Sequence, residues 1–290
     1  MKTNFLLLII FLILSTACKK KEEKPELSYY KGQLTISTDD SFKSVVEALA
    51  DGYMIAYPES EIKVKTQKED LGFLDLLNDK SKIIVMSREL SPDENSEYEK
   101  RVELKYQPAR FAADGVVFIV PKNSSKSEIS VEEIEKGLQA ESKNFIFDGT
   151  NSSNLNFIAQ KLNKKPSDLK FSIINGNENV IKELNKYPDK IGVIGWNSIS
   201  RPYDKKSEQL REMIKVLPVK QNGKLYDISP ENLRKMTYPY TRVLYFLINE
   251  SGFNLANGFV RYSCTQLGQK IVEKEGLQPY NLYGREVQMR

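Results

Sequence analysis

The sequence predicts an α/β fold, and three observations carry that prediction. Strand candidates recur along the chain with helical patterns between them. Several of those strands are near-continuous apolar runs, the pattern of strands covered on both faces by helices. The passage from strand to helix also runs repeatedly through a loop of small polar residues. Taken in order, the strand candidates are 33–37, 62–66, 82–86, 115–120, 144–148, 169–174, 191–195, 214–219 and 242–248. Helices are expected over 41–57, ending before Pro58, and over 71–79, 131–139, 153–163, 178–187 and 253–275.

The first 31 residues stand outside this alternation. Lys2 precedes the apolar run 5–14 and the small residues of "STAC" (15–18), the order of a secretory signal. The run is too short to span a bilayer, which takes about 20 residues. A cut before Cys18 would leave a cysteine able to carry lipid; the segment resembles the lipobox of bacterial lipoproteins, with Ser15 at the position usually held by Leu and Leu14 one step further back. Residues 1–17 are therefore expected as a signal, and 18–31 as a lipidated Cys18 with a charged tether, "KKKEEKPELSYYK", whose 13 residues reach at most about 45 Å.

Composition excludes several functions. The chain has no histidine, which removes Ser-His-Asp and Cys-His catalysis and His zinc ligation. S-x-x-K matches such as 28–31 and 167–170 are about what a lysine-rich chain gives by chance, so no enzyme is expected. The net charge of +4 comes from interspersed residues of both signs, without the basic stripe of a nucleic-acid binder. Beyond Cys18 only Cys264 remains, so no intrachain disulfide is expected in the mature chain.

Candidate binding residues sit where strands end. Ser37, Thr38, Asp39, Asp40 and Ser41 close the first strand and open a helix whose stripe is Phe42, Val45, Val46 and Leu49. Asn151, Ser152 and Ser153 do the same before Leu155, Ile158, Ala159 and Leu162; Ser87 and Arg88 end a third strand. Each loop alone is an ordinary N-cap. Together, two helix starts with unpaired N–H groups, several hydroxyls and one guanidinium would make an anion site. Asp39 and Asp40 would repel a bare anion but could accept a proton from a protonated one.

The ordered set of segments resembles the periplasmic solute-binding proteins of phosphate ABC importers. "GQLTISTDDSF" is similar to the family's first strand and ligand loop, "IIVMSREL" to its SR-x-L segment and "ARFAADGVVFIVPKNS" to its crossing between lobes. "DGTNSSNLNF" stands at its SGT loop, and "KIGVIGWNSI", "YPYTRVLYFLI" and "NGFVRYSCTQLGQKIVEKEGLQPY" resemble its late segments. The resemblance implies a type II fold of two lobes joined by two hinge strands, each lobe a mainly parallel sheet flanked by helices. Lobe one is expected at 32–113 plus 220–290 and lobe two at 114–219. It also implies a monomer without cofactor or metal, phosphate or a similar oxyanion in the cleft, and the membrane subunits of an ABC importer as partner. Two departures bear on the ligand. Phe147 stands where the family carries an Arg, and Asn151 and Ser153 stand for its Ser and Thr. Arg88, from the opposite lobe, is the candidate replacement cation. Another small polar solute, or a sensor or interaction lipoprotein of the same fold, is the alternative. Trp196 and the pair Tyr238 and Tyr240 at the second crossing are expected as packing or as ligand platform.

Overall fold

A computed structural model describes residues 28–281. The expected signal, Cys18 and most of the tether lie outside the described residues.

The first half builds a three-layer unit. Strand β1 (Gly32–Thr38) pairs in parallel with β2 (Ser60–Thr66) and β3 (Ile83–Met86). A 3-10 turn, Asp40–Phe42, leads into α1 (Lys43–Ala56), which buries Val45, Val46, Leu49 and Tyr53 against β1. Helices α2 (Glu69–Leu77) and α3 (Pro92–Val102) cover the other face. Helix α3 is started by a capping box, with Ser91 and Glu94 satisfying each other's backbone N–H groups and Pro92 at the first position.

Strand β4 (Ala109–Pro121) then runs through the whole molecule. Beyond it come β5 (Ile129–Ser130), α4 (Val131–Gly137), β6 (Phe145–Phe147), α5 (Ser153–Lys161), β7 (Ser172–Ile173), α6 (Asn177–Glu183), β8 (Ile191–Gly195), α7 (Lys205–Glu212), β9 (Ile214–Leu217), β10 (Val219–Gln221), β11 (Lys224–Tyr226) and α8 (Pro230–Arg234). Strand β12 (Thr241–Ile248) returns, followed by α9 (Leu255–Ser263), α10 (Gln266–Lys274) and β13 (Gln278–Pro279). The main sheet has the order β2-β1-β3-β12-β4-β8-β6-β7. Its outer strands pair in parallel on both sides, while β4 and β12 run antiparallel to their neighbours, so each lobe's sheet is mixed. That follows from the chain crossing back twice: a crossing strand meets its neighbours head to tail.

Two apolar cores flank the crossing. One gathers Leu34, Ile36, Val46, Leu49, Phe111, Leu244, Phe246 and Phe259; the other gathers Val117, Phe118, Phe145, Phe147, Ile158, Val193 and Leu217. Along β4 the handover falls between Ala112 and Val116. On the return, Val219, Tyr226, Ile228, Tyr238 and Tyr240 still pack on the second core. Tyr238 donates its hydroxyl to the Val116 carbonyl at 3.0 Å, pinning one crossing to the other. Trp196 is half-buried and packs against both cores.

The helix expected over 253–275 is two. Thr265 breaks it, its side chain accepting from Gly268 N while its backbone is extended, so it starts α10 as an N-cap.

Candidate functional site

The C-terminal ends of β1, β3 and β6 face one another across the gap between the cores, where an open α/β sheet places ligands. The residues there form one hydrogen-bonded cluster. Asp39 is its centre. Its carboxylate accepts from Ser41 N at 3.0 Å and, across the gap, from Ser153 N at 3.1 Å. One carboxylate thus joins the starts of two helical segments, one from each side, and stands where an anion would be held.

Asp40 also reaches across: it accepts from Asn177 N at 2.9 Å and Nδ2 at 2.8 Å, and pairs with Lys68 Nζ at 2.7 Å. Lys68 also pairs with Asp148 at 3.1 Å, and Asp148 accepts from Asn154 Nδ2 at 3.0 Å. Asn177 donates further to Ser41 Oγ and accepts from Gly195 N, both at 3.0 Å. Three carboxylates, Asp39, Asp40 and Asp148, each offer an oxygen within 4.8 Å of the others; the Lys68 ammonium already stands among them as the counter-cation.

Ser37, Thr38, Ser41, Ser152 and Ser153 are buried in or beside this cluster. Ser37 accepts from Gln67, Thr38 donates to the Asp39 carbonyl, and Ser152 caps α5 by accepting from Leu155 N. Asn151 is exposed and adopts a left-handed backbone, φ 59°; its carbonyl, not its side chain, faces Asp70 N across the gap.

Ser87 and Arg88 have other partners. Ser87 donates through both N and Oγ, at 3.0 Å each, to Glu69, which is wholly buried. The Arg88 guanidinium makes a two-pronged pair with Glu94 at 2.7 Å, meets Asp70 at 3.1 Å and stands 3.3 Å from Glu69. Its donors are thus directed to the first lobe's own acids, not to the gap. Asn156 of α5 joins this group from the other side, donating to Asp70 at 2.7 Å and to Glu69 at 3.3 Å.

Burial sets the charge states. It pushes Asp148 up to about 7, with Asp39 raising it further and Lys68 opposing. Burial and the neighbouring Asp40 raise Asp39; burial likewise raises Glu69 against the pull of Arg88. For Asp40, burial is outweighed by Lys68 and Asn177, and its carboxyl is held below the usual range. Lys68 is raised, the three aspartates outweighing its own burial.

Open space lies beside these carboxylates rather than between them. A cavity of about 680 Å³ is lined by Asp40, Asn177, Arg201, Lys206 and Glu275, so residues of both sides face it.

Sequence reasoning passed over Lys68, Glu69, Asp148, Asn154, Asn156 and Asn177. Asp148 lay within a quoted loop, and "KED" (68–70) opens a helix with both signs of charge. Neither position signals that its partners sit 28 to 87 residues away.

A two-lobed α/β molecule with strand ends converging on an interlobe gap is a binding fold. The chain belongs to the PBP superfamily: the model of that superfamily domain matches residues 28–266. No curated protein matches in sequence. Among solved structures, one from Clostridium perfringens, assigned as a phosphate ABC transporter substrate-binding protein and holding phosphate, is 20% identical. The match covers 86% of this chain and 99% of that one, at a TM-score of 0.69. An ABC-type phosphate transport receptor from Vibrio cholerae is 16% identical over 86% of this chain and 100% of its own, at 0.64. PstS from Borrelia burgdorferi is 20% identical over 86% and 99%, at 0.54. At these identities the likeness is one of fold. No helix among the described residues is long and apolar enough to cross a membrane.

Proposed function

We propose that the chain is a lipid-anchored solute-binding protein that captures phosphate or a similar small oxyanion in its interlobe cleft and presents it to an ABC importer. One observation supports this above the rest: the Asp39 carboxylate is itself an oxyanion held by amides of both lobes, Ser41 N and Ser153 N. Donors that grip a carboxylate in this way can grip a phosphate oxygen. Cargo then exchanges with Asp39, which turns aside and accepts a proton from it. Anchoring through Cys18 places the receptor at the membrane that houses the importer. The named functions of the structural relatives support the same reading.

A second reading has its own observation. Asp39, Asp40 and Glu69 already use the cleft's amides and hydroxyls, and Lys68 and Asn156 pair across it. A cleft latched by its own acids suits an interaction or sensor lipoprotein that carries no cargo.

Calorimetric titration of dialysed protein with phosphate separates the two. Binding near micromolar, about 8 kcal/mol, supports the receptor. No heat and no thermal upshift at millimolar phosphate would discard it in favour of the latch. Labelled palmitate incorporated by the full chain and lost in Cys18→Ser would support the anchor; equal incorporation would refute it.

A further inference from the structure

Three buried polar atoms of the cleft and its surroundings have no partner among the described residues: Arg242 Nη1, Ser153 Oγ and the acceptor Asn154 Oδ1. Arg242 stands on the return crossing β12, and its side chain is wholly buried. Its Nε and Nη2 both donate to Asp114 Oδ2 of β4, at 3.0 and 2.8 Å. The guanidinium lies 4.5 Å from the centre of the Phe42 ring and 5.9 Å from that of Phe157. Phe42 directly follows Ser41, and Phe157 lies one helical turn beyond Ser153. Gly195 closes the set: a methyl there would come within 2.8 Å of both Arg242 Nη2 and Ser41 Cβ. Arg242 therefore stands beside Ser41 and the ring of Phe42, at the start of the helical segment that also carries Asp39 and Asp40.

The pair with Asp114 ties the two crossings together, and that role accounts for Nε and Nη2. It does not account for Nη1. A guanidinium presents five N–H donors in a fixed fork, and a buried charged donor without an acceptor is strongly disfavoured. The arrangement makes sense if an acceptor arrives with the cargo.

We propose that Arg242 is the cationic clamp for the cleft's oxyanion, supplied from the hinge strand. It takes the role expected of Arg88 and of the arginine absent at Phe147. The inference rests on the oxyanion reading of the cleft and names the residue that carries its charge recognition. Asp114 fixes one edge of the fork, leaving the other for a small tetrahedral oxyanion such as inorganic phosphate or arsenate. Because the clamp sits on the strand joining the lobes, cargo bound to it would couple directly to hinge closure.

The test is phosphate titration of the full chain as wild type, Arg242→Lys and Ser153→Ala, with each protein's melting recorded without phosphate. Lysine keeps a cation for Asp114 but has no second edge. The expected result is at least a tenfold loss of affinity in Arg242→Lys and a three- to tenfold loss in Ser153→Ala, with unliganded melting of the latter near wild type. Wild-type affinity in Arg242→Lys overturns the clamp while leaving the receptor reading standing. If Arg242→Lys does not fold, Ser153→Ala decides in its place, and undiminished affinity there overturns the clamp. A wild type that binds no phosphate removes the receptor reading and the clamp together.

Discussion

Ser153 N donates to the Asp39 carboxylate at 3.1 Å, an amide of one lobe resting on an acid of the other. Asp39→Ala leaves the buried Ser41 N and Ser153 N without this acceptor. The expected cost is about 1–3 kcal/mol of stability. If cargo exchanges with Asp39, millimolar phosphate will raise the melting temperature of the variant more than that of wild type. Equal shifts would show that cargo and Asp39 do not compete.

Asp148 gives the cleft a pH dependence. Its carboxyl is pushed up to about 7 from an ordinary 3.8. Between those values the folded chain holds a proton that the unfolded chain has released, so stability falls as pH rises through the window and levels off above it. Asp39, Glu69 and Asp114 are raised and act in the same direction; Asp40 and Glu94 are lowered, and their contribution is lost only in stronger acid. Melting is therefore expected to be higher at pH 5 than at pH 7.5, with a flatter profile in Asp148→Asn. A wild-type profile that rises over this range would contradict the assignment.

Arg88 balances three acids, one of them fully buried. Arg88→Ala should destabilise the chain by about 3–5 kcal/mol, because Glu69 keeps its burial and loses its cation. Adding Glu69→Gln should recover part of the loss. Urea unfolding midpoints read both, and a midpoint unmoved by Arg88→Ala would refute the account.

Gly195 is where the end of β8 lets Arg242 and Ser41 approach. In Gly195→Ala the new methyl would have to displace both, at an expected cost of about 1–3 kcal/mol. A thermal melt checks this; wild-type stability would mean that the shell is looser than its distances imply.

The fold was legible because its signals are local. β3 and β8 are apolar runs, β1 alternates polar and apolar residues, and α1 and α5 carry clear stripes, so each announces itself within a dozen residues. Helices α3 and α7 were not foreseen: they bury only Tyr98, and Ser207 with Leu210, and leave no periodic trace. Of the site, the loop positions could be read, but the pairing of charges could not. Arg88 looks free beside Ser87 in the sequence. Only the fold shows that Glu94, six residues on, serves at once as helix cap and as its counter-ion. Arg242 lay unremarked within a strand, because nothing near it in sequence hints at Asp114, 128 residues away.

The long strand β4 carries a consequence for how this molecule can be taken apart. Its first half pairs with β12 and β13, its second with β8 and β9. A cut at Gly115 would not release two autonomous modules; it would strip each sheet of a central member and bare ladder edges prone to sticking to other chains. Split-protein fragments broken there should precipitate when expressed separately and become soluble only when produced together, whereas a nick in the hairpin turn at Asn222–Gly223 should be tolerated.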